Sequence, residues 1–235
     1  MYKGVHNTHS MNPTATDFLE SALLTATPPP LFTQDQPVNN MNLIHQTDPT
    51  TATGKAQQLF IAVREQFGFV PNLMRVLGNS AALEGYLSFS SALAGGVLPE
   101  KLREQIALTV GEINGCGYCL SAHTMLGGKA GLSEDEIHAA RRASAADGKS
   151  DGALKFARAV TLQRGHLADA DLHAARAAGL NDAELVEVVQ QVALNILTNY
   201  TNNVARTVID FPEVKPGDME PATAESGATG DTDRA

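Results

Sequence analysis

The stretch LPEKLREQIALTVGEINGCGYCLSAHT, residues 98–124, combines a helical pattern, a helix break and both cysteines of the chain. Pro99 suits the first turn of a helix, where a missing amide proton removes no hydrogen bond. The apolar residues that follow share one face of that helix, at Leu102, Ile106, Ala107 and Val110. The sequence NGCG then predicts a break and the start of a second helix. We therefore expect Cys116 and Cys119 to lie on the first turn of this second helix.

The sequence on either side of this stretch is also helical in pattern, over roughly residues 54–212. Ser133 and Glu136 form a Ser-x-x-Glu capping box, and Asn181 precedes the longest helical stretch of the chain. The composition agrees, with 43% hydrophobic residues, 5% aromatic residues and no tryptophan. No alternating strand pattern stands out. These features predict an all-α, bundle-like domain.

Both ends of the chain differ from this middle region in composition. Residues 1–52 are rich in Thr, Asn, Pro and Gln, and three consecutive prolines exclude a helix interior at 28–30. We predict a mostly disordered N-terminal arm over 1–52, with a short helix near Asp17–Leu24. Residues 215–235 are mainly small and polar and predict a disordered tail. The helical domain is thereby assigned to residues 53–214.

The charge and the apolar pattern limit the classes of partner and the cellular location that we expect. The formal net charge is −9 and the isoelectric point about 5.2. No long basic stripe is present, which argues against nucleic acid as a partner. No apolar run approaches the ~20 residues that span a bilayer, which argues against a membrane location. The N-terminus carries one cation, Lys3, and Glu20 interrupts its short apolar piece, so we expect no secretory signal and a cytoplasmic protein.

The Cys-x-x-Cys pair has the surroundings of a redox site. A cysteine reacts as its thiolate, and the unpaired amides at the start of a helix favour that anion. Cys119 and His123 are four residues apart on one helical face, where the imidazole can accept the thiol proton. A carboxylate from Glu112 or Glu104 would fix the tautomer of the imidazole. The pattern favours dithiol–disulfide exchange, or attack on a peroxide followed by resolution of the sulfenic acid.

Two other interpretations of the pair stay open at this point. Both cysteines are candidates for buried structural residues, because cysteine is among the most often buried residue types. Alternatively, Cys116, Cys119 and His123, with one glutamate, supply four ligands of the kinds that zinc accepts. A structural zinc site more commonly draws on a second Cys/His group, and the chain has no further cysteine.

At these residues the sequence resembles the alkylhydroperoxidase D-like branch of the carboxymuconolactone decarboxylase family. The similarity runs from residue 98 through GLSEDEI to ILTNYTNNVARTVIDFPEV, and it covers most of 54–214. The spacing Glu-x11-Cys-x-x-Cys-x3-His is quite specific to this branch. The resemblance implies an all-helical, AhpD-like fold that assembles as trimers or hexamers. It also implies a peroxidase or disulfide reductase activity with no bound metal or organic cofactor.

The resemblance assigns roles to individual residues. It implies that Cys116 and Cys119 are the redox pair, that His123 is the relay histidine, and that Glu104 is the relay glutamate. Glu112, attractive from spacing alone, has no matching catalytic role. Tyr118 stands where the best-known members have histidine. A tyrosine donates a hydrogen bond, but with a pKa near 10 it is a poor base at neutral pH, so the proton relay shifts to Glu104 and His123.

These observations predict a thiol-dependent peroxidase that reduces hydroperoxides or partner disulfides and is recycled by a thiol or dithiol reductant. The expected nucleophile is Cys119, because His123 shares its helical face, and Cys116 then resolves the oxidised sulfur. One alternative is a metal-binding or redox-sensing module. Another is a decarboxylase-type enzyme that uses a cationic anchor such as Arg103, although that reaction does not need a Cys-x-x-Cys pair.

Overall fold

A computed structural model describes residues 43–217, and helices account for most of them. In that range nine helices follow one another, and no strand occurs. Their bounds are α1 Gly54–Phe67, α2 Asn72–Leu77, α3 Ala82–Ala94, α4 Glu100–Ile113, α5 Gly117–Lys129, α6 Glu134–Arg141, α7 Gly148–Leu162, α8 Asp169–Ala177 and α9 Asp182–Ala205. The predicted all-α fold is confirmed.

Helix α4, which the opening stretch predicts, lies at the centre of the domain. It packs against α5, α6, α7 and α9. Ile106, Leu108 and Val110 have no exposed surface, so α4 is enclosed on more than one face. A second apolar cluster lies where α1, α2 and α3 meet the start of α5, and it contains both cysteines. The cysteine pair is therefore built into an apolar cluster rather than placed on an open surface.

The local signals of helix ends are confirmed. Ser133 and Glu136 form the predicted capping box at the start of α6, and Asn181 caps α9 together with Glu184. Helix α4 ends at Ile113, and Gly115 then takes a positive φ of 62° that suits glycine. Cys116 is the N-cap of α5, so the predicted break at NGCG and the position of the pair on a new helix are both correct.

The C-terminal end of the helical region differs from the predicted boundary. Helix structure stops at Ala205 rather than near residue 212, and Arg206 leaves the helix in a left-handed conformation with φ 49°. Residues 206–217, here called the C-terminal strap, have no helix and pack against the start of α5. Pro212 and Pro216 lack the amide donors that a continued helix would need.

Part of the predicted arm also packs onto the domain. The Leu43 amide donates to the Ala205 carbonyl at 2.7 Å, and the Thr47 amide donates to the Arg75 carbonyl at 3.0 Å. Residues 43–52 thus hold a defined position, in contrast to the predicted disorder. Residues 1–42, with the predicted helix Asp17–Leu24, and residues 218–235 lie outside the described part of the chain. Among the described helices, none has the length and apolar character needed to cross a bilayer.

Candidate active site

The two cysteines are joined by a disulfide bond across the first turn of α5. Their Cα atoms are 5.3 Å apart. The Sγ of Cys116 caps the helix by accepting a hydrogen bond from the Cys119 amide at 3.3 Å. An unpaired helix amide thus points at a sulfur atom, and the same amide would stabilise a thiolate after reduction.

One of the two cysteines lines a cavity. Its empty volume, open to solvent, is about 440 Å³, and Cys119 and His123 both line it. Cys116 has no exposed surface and Cys119 is 3% exposed. Most of the other lining side chains are apolar: Phe67, Pro71, Leu73, Met74, Ala122, Leu126 and Phe211. Cys119 is therefore the cysteine that an apolar molecule in this cavity meets.

His123 and Glu104 form a hydrogen-bonded pair beside Cys119. The Nδ1 of His123 lies 2.8 Å from the Oε2 of Glu104, and both side chains are about one-fifth exposed, at 22% and 18%. An ionised carboxylate only accepts hydrogen bonds, so Nδ1 carries the proton in this contact. The other ring nitrogen, Nε2, is then free to take a proton from a thiol or to return it to a leaving oxygen.

The His123–Glu104 pair stands between the apolar cavity and a second, more polar cleft. This cleft has an empty volume of about 880 Å³ and also contains both members of the pair. Its polar side chains include Gln66, Ser90, Arg103, Gln191 and Asn195. His123 therefore lines the apolar cavity on one side and the polar cleft on the other. The polar groups of the cleft offer a path for protons.

Tyr118, a predicted site residue, has its hydroxyl group committed to the neighbouring chain. The Tyr118 hydroxyl accepts a hydrogen bond from the Leu73 amide at 3.1 Å and donates to the Asp210 carboxylate. Burial raises the pKa of Tyr118 above its usual value, and the negative charge of Asp210 raises it further. Its ring also packs edge-on against Phe211, with 5.5 Å between the ring centroids. The hydroxyl is protonated at neutral pH, and a relay role for it stays a prediction.

Glu112 has a structural role. The family branch that the sequence resembles has no catalytic residue at this position. Its Oε2 accepts a hydrogen bond from the Arg141 Nε at 2.8 Å, and its Oε1 accepts one from the Gly217 amide at 2.7 Å. Arg141 also donates to the Lys215 carbonyl at 2.8 Å. This ion pair fastens the end of the C-terminal strap over α5.

Two residues of the site have no signal in the sequence patterns. Tyr86 on α3 lines both the cavity and the polar cleft. Burial and the nearby charge of Glu104 raise the pKa of Tyr86 to about 12, so it is a neutral hydrogen-bond donor. Asn202 on α9 donates from Nδ2 to the Cys119 Sγ at 3.3 Å. Asn202 is one of three asparagines in TNYTNN, and their spacing does not indicate which of them contacts Cys119.

Two observations concern the residues that the alternative functions would use. In residues 43–217 no group of three or more His, Cys, Asp or Glu side chains is placed to hold a metal ion. Arg103, the candidate anchor for a decarboxylase, donates to the Leu98 carbonyl at 2.7 Å. His138 and His173, on helices, and His166, in the loop between α7 and α8, are exposed.

A family model supports the resemblance noted in the sequence. Residues 80–163 match the carboxymuconolactone decarboxylase family, and this range contains the cysteine pair, His123 and Glu104. No curated protein matches the chain significantly.

Several solved structures share the fold of this chain. A peroxidase-related protein from Silicibacter sp. TM1040 is similar with a TM-score of 0.63 at 21% identity, over 80% of this chain and 100% of its own. An alkylhydroperoxidase AhpD core protein from Ralstonia eutropha JMP134 gives 0.63 at 22%, over 78% and 95%. The debrominase Bmp8 gives 0.62 at 19%, over 72% and 92%. These likenesses confirm the AhpD-like fold.

Proposed function

We propose that this relative of the carboxymuconolactone decarboxylase family is a thiol-dependent peroxidase. The observation that carries the proposal is a disulfide-bonded Cys-x-x-Cys pair of which one sulfur, on Cys119, lines a cavity beside the His123–Glu104 pair. The substrate is a hydroperoxide, and a thiol or dithiol, either small or on a protein, restores the two thiols. A reducing cytoplasm would supply such a reductant.

The chemistry balances with the residues present. His123 takes the Cys119 proton at Nε2, and the thiolate attacks the terminal oxygen of the hydroperoxide. A sulfur–oxygen bond forms, the O–O bond breaks, and the departing alkoxide takes the proton back from His123 to leave as an alcohol. Cys116 then attacks the Cys119 sulfenic acid, a disulfide forms and water leaves. The peroxide is reduced by two electrons that come from the two thiols.

Replacing His123 with alanine should slow peroxide turnover, by about 100-fold, because the base that takes the thiol proton is removed. The reactive thiol should also titrate at a higher pH than in the unchanged protein. Both effects are measured by steady-state turnover and by thiol alkylation as a function of pH. His138→Ala, on the exposed face of α6, is the matched control and should behave as the unchanged protein. Equal pH profiles in both variants would contradict the proposed relay.

Reductive dehalogenation is a second candidate that the cavity favours. The debrominase Bmp8 has the same fold, and a structure of a Bmp8 variant holds 2,3,4-tribromopyrrole. Aromatic rings of Phe67, Tyr86 and Phe211 line the cavity here and would pack against a flat halogenated ring. A dithiol supplies the two electrons that replace an aryl bromide by hydrogen and release bromide. Bromide release from 2,3,4-tribromopyrrole, compared with reduction of an organic hydroperoxide, decides between the two substrates.

We also propose that the chain assembles into a homo-oligomer, a trimer or a hexamer. An exposed apolar stripe on α9 supports this: Val186, Leu197, Tyr200 and Val204 are 62%, 40%, 56% and 65% exposed and lie on one helical face. The buried face of α9 carries several amides in addition to apolar side chains, so apolar residues are not confined to the buried side of this helix. Such a stripe is typical of a surface that a partner covers.

The double variant Leu197→Glu and Val204→Glu should therefore lower the mass in sedimentation velocity to that of one chain, 24.8 kDa. Two charges placed in an apolar interface would remain without partners, which weakens association strongly. Leu162→Glu changes an apolar residue of α7 that is 50% exposed and should leave the mass unaltered. A monomeric unchanged protein would contradict the proposed assembly.

A further inference from the structure

The buried face of α9 is unusually polar, and its side chains differ in how their hydrogen bonds are satisfied. Five of the polar residues on it are at most 5% exposed: Gln191, Asn195, Thr198, Asn199 and Asn202. Asn195 and Thr198 bond to carbonyls of their own helix, and the Asn199 Oδ1 accepts a hydrogen bond from Asn114. Asn202 is the member of this group that contacts a cysteine.

The two ends of the Asn202 amide have different surroundings. Its Nδ2 donates to the Cys119 Sγ at 3.3 Å. Its Oδ1 is buried and has no hydrogen-bond partner, and the residue lines the same cavity as Cys119 and His123. A disulfide sulfur or a thiolate only accepts hydrogen bonds, so the nitrogen end of the amide faces the sulfur.

A buried oxygen without a hydrogen-bond partner lowers the stability of the folded protein, so its presence needs an explanation. Leaving such an acceptor without a donor costs on the order of 1–3 kcal/mol, and most buried polar groups in folded proteins avoid that cost. Asn202 lines the cavity, and a bound molecule whose O–H group reaches Oδ1 would satisfy that oxygen. The terminal O–H of a hydroperoxide is such a group, and its oxygen is the atom that the thiolate attacks.

We propose that Asn202 is a catalytic residue with two contacts, holding the Cys119 sulfur through Nδ2 and the hydroperoxide O–H through Oδ1. This inference rests on the proposed peroxidase function. The Nδ2–H bond stabilises the thiolate and fixes its direction, and the Oδ1 contact places the terminal oxygen next to that sulfur. As the S–O bond forms and the O–O bond breaks, the proton on the terminal oxygen stays there and becomes the sulfenic acid proton.

Other ionisable groups also face Cys119 and must be kept constant in a test. His123, Tyr86 and Tyr118 line the same cavity, Glu104 stands behind His123, and Asp210 binds the Tyr118 hydroxyl. Substitutions at Asn202 leave all of these groups in place. A change in the titration of the thiol can then be assigned to the amide.

The test uses the full chain with Cys116→Ser, so that Cys119 is the one thiol. Asn202→Leu removes both contacts at nearly constant volume, and Asn202→Asp keeps the shape but replaces the N–H donor with a carboxylate oxygen. We expect iodoacetamide to react with Cys119 at pH 7 about tenfold more slowly in the leucine variant and more slowly still in the aspartate variant. The alkylation profile should shift to higher pH in both.

A second readout concerns the hydroperoxide contact. With both cysteines present, Asn202→Leu should raise KM for tert-butyl hydroperoxide and lower kcat, because substrate binding and thiolate reactivity are both affected. Asn203→Asp adds the same charge at the next residue, which is exposed and bonds the Asn114 carbonyl, and it should match the unchanged protein. If the leucine variant does not fold, the isosteric aspartate variant decides alone.

The outcomes separate this inference from the proposed function. Unchanged alkylation profiles in both Asn202 variants would overturn the inference while leaving the peroxidase activity intact. A purely structural role would lower the thermal unfolding temperature without moving the alkylation profile, and this result would also overturn it. If the unchanged protein fails to reduce any hydroperoxide, the proposed function fails, and the alkylation profiles still report whether Asn202 acts on the sulfur.

Discussion

Replacing Cys119 with serine should lower peroxide turnover by at least about 1,000-fold, because the variant lacks the nucleophile. Cys119 lines the cavity beside His123, whereas Cys116 has no exposed surface. Steady-state consumption of an organic hydroperoxide in the presence of a dithiol measures the effect. Cys116, whose thiol remains in this variant, has no exposed surface and should not replace Cys119 in the reaction.

Cys116→Ser provides the complementary result. This variant should consume one equivalent of hydroperoxide rapidly and then stop, because the sulfenic acid at Cys119 has no neighbouring thiol to resolve it. Dimedone should label Cys119 in this variant, and mass spectrometry of the labelled peptide measures it. Similar thermal unfolding of both serine variants is the control for folding. Label on Cys116 in Cys119→Ser, together with retained turnover, would reverse the two roles.

Replacing Arg141 with methionine should lower the free energy of unfolding by about 3 kcal/mol or more, because the Glu112 carboxylate would lose its cation. The side chains of Arg141 and Glu112 are 4% and 12% exposed, so water compensates little for the loss. The Lys215 carbonyl also loses its donor. Urea unfolding of the purified variant measures the change, and faster alkylation of reduced Cys116 would report loosening of the strap.

A double-mutant cycle and an exposed ion pair serve as controls for this result. Combining Arg141→Met with Glu112→Leu removes both charges and should recover much of the lost stability, since an apolar pair replaces a buried charge. Lys155→Met breaks an ion pair with Asp151 in which Lys155 is 67% exposed, and it should cost less than about 1 kcal/mol. A loss at Arg141 as small as that at Lys155 would show that the buried pair does not secure the strap.

The parts of the fold that local chemistry controls could be predicted from the sequence. The break at NGCG follows from glycine and asparagine between two helical patterns, and the caps at Ser133 and Asn181 follow from hydrogen bonds within three residues. The positions of Cys119 and His123 on one helix face also follow from spacing alone. The choice of Glu104 over Glu112 does not, because both carboxylates lie upstream and only the resemblance distinguishes them.

Contacts between distant segments could not be predicted in the same way. Asn202 reaches Cys119 across 83 residues of sequence, and Asp210 reaches Asn72 across 138. Neither contact leaves a periodic pattern in the chain. The packing of the C-terminal strap belongs to the same class, because Ile209 and Phe211 contact an apolar cluster built from residues distant in the sequence.

The most direct test of the central claim counts thiols while a hydroperoxide is added to the fully reduced protein. We predict that one equivalent of an organic hydroperoxide removes both thiols of each chain and produces an intramolecular Cys116–Cys119 disulfide. The reduced protein should also lose this reactivity after treatment with iodoacetamide. Thiols that persist in excess hydroperoxide and resist iodoacetamide, or an activity that survives alkylation, as a decarboxylase-type enzyme would show, would contradict the claim.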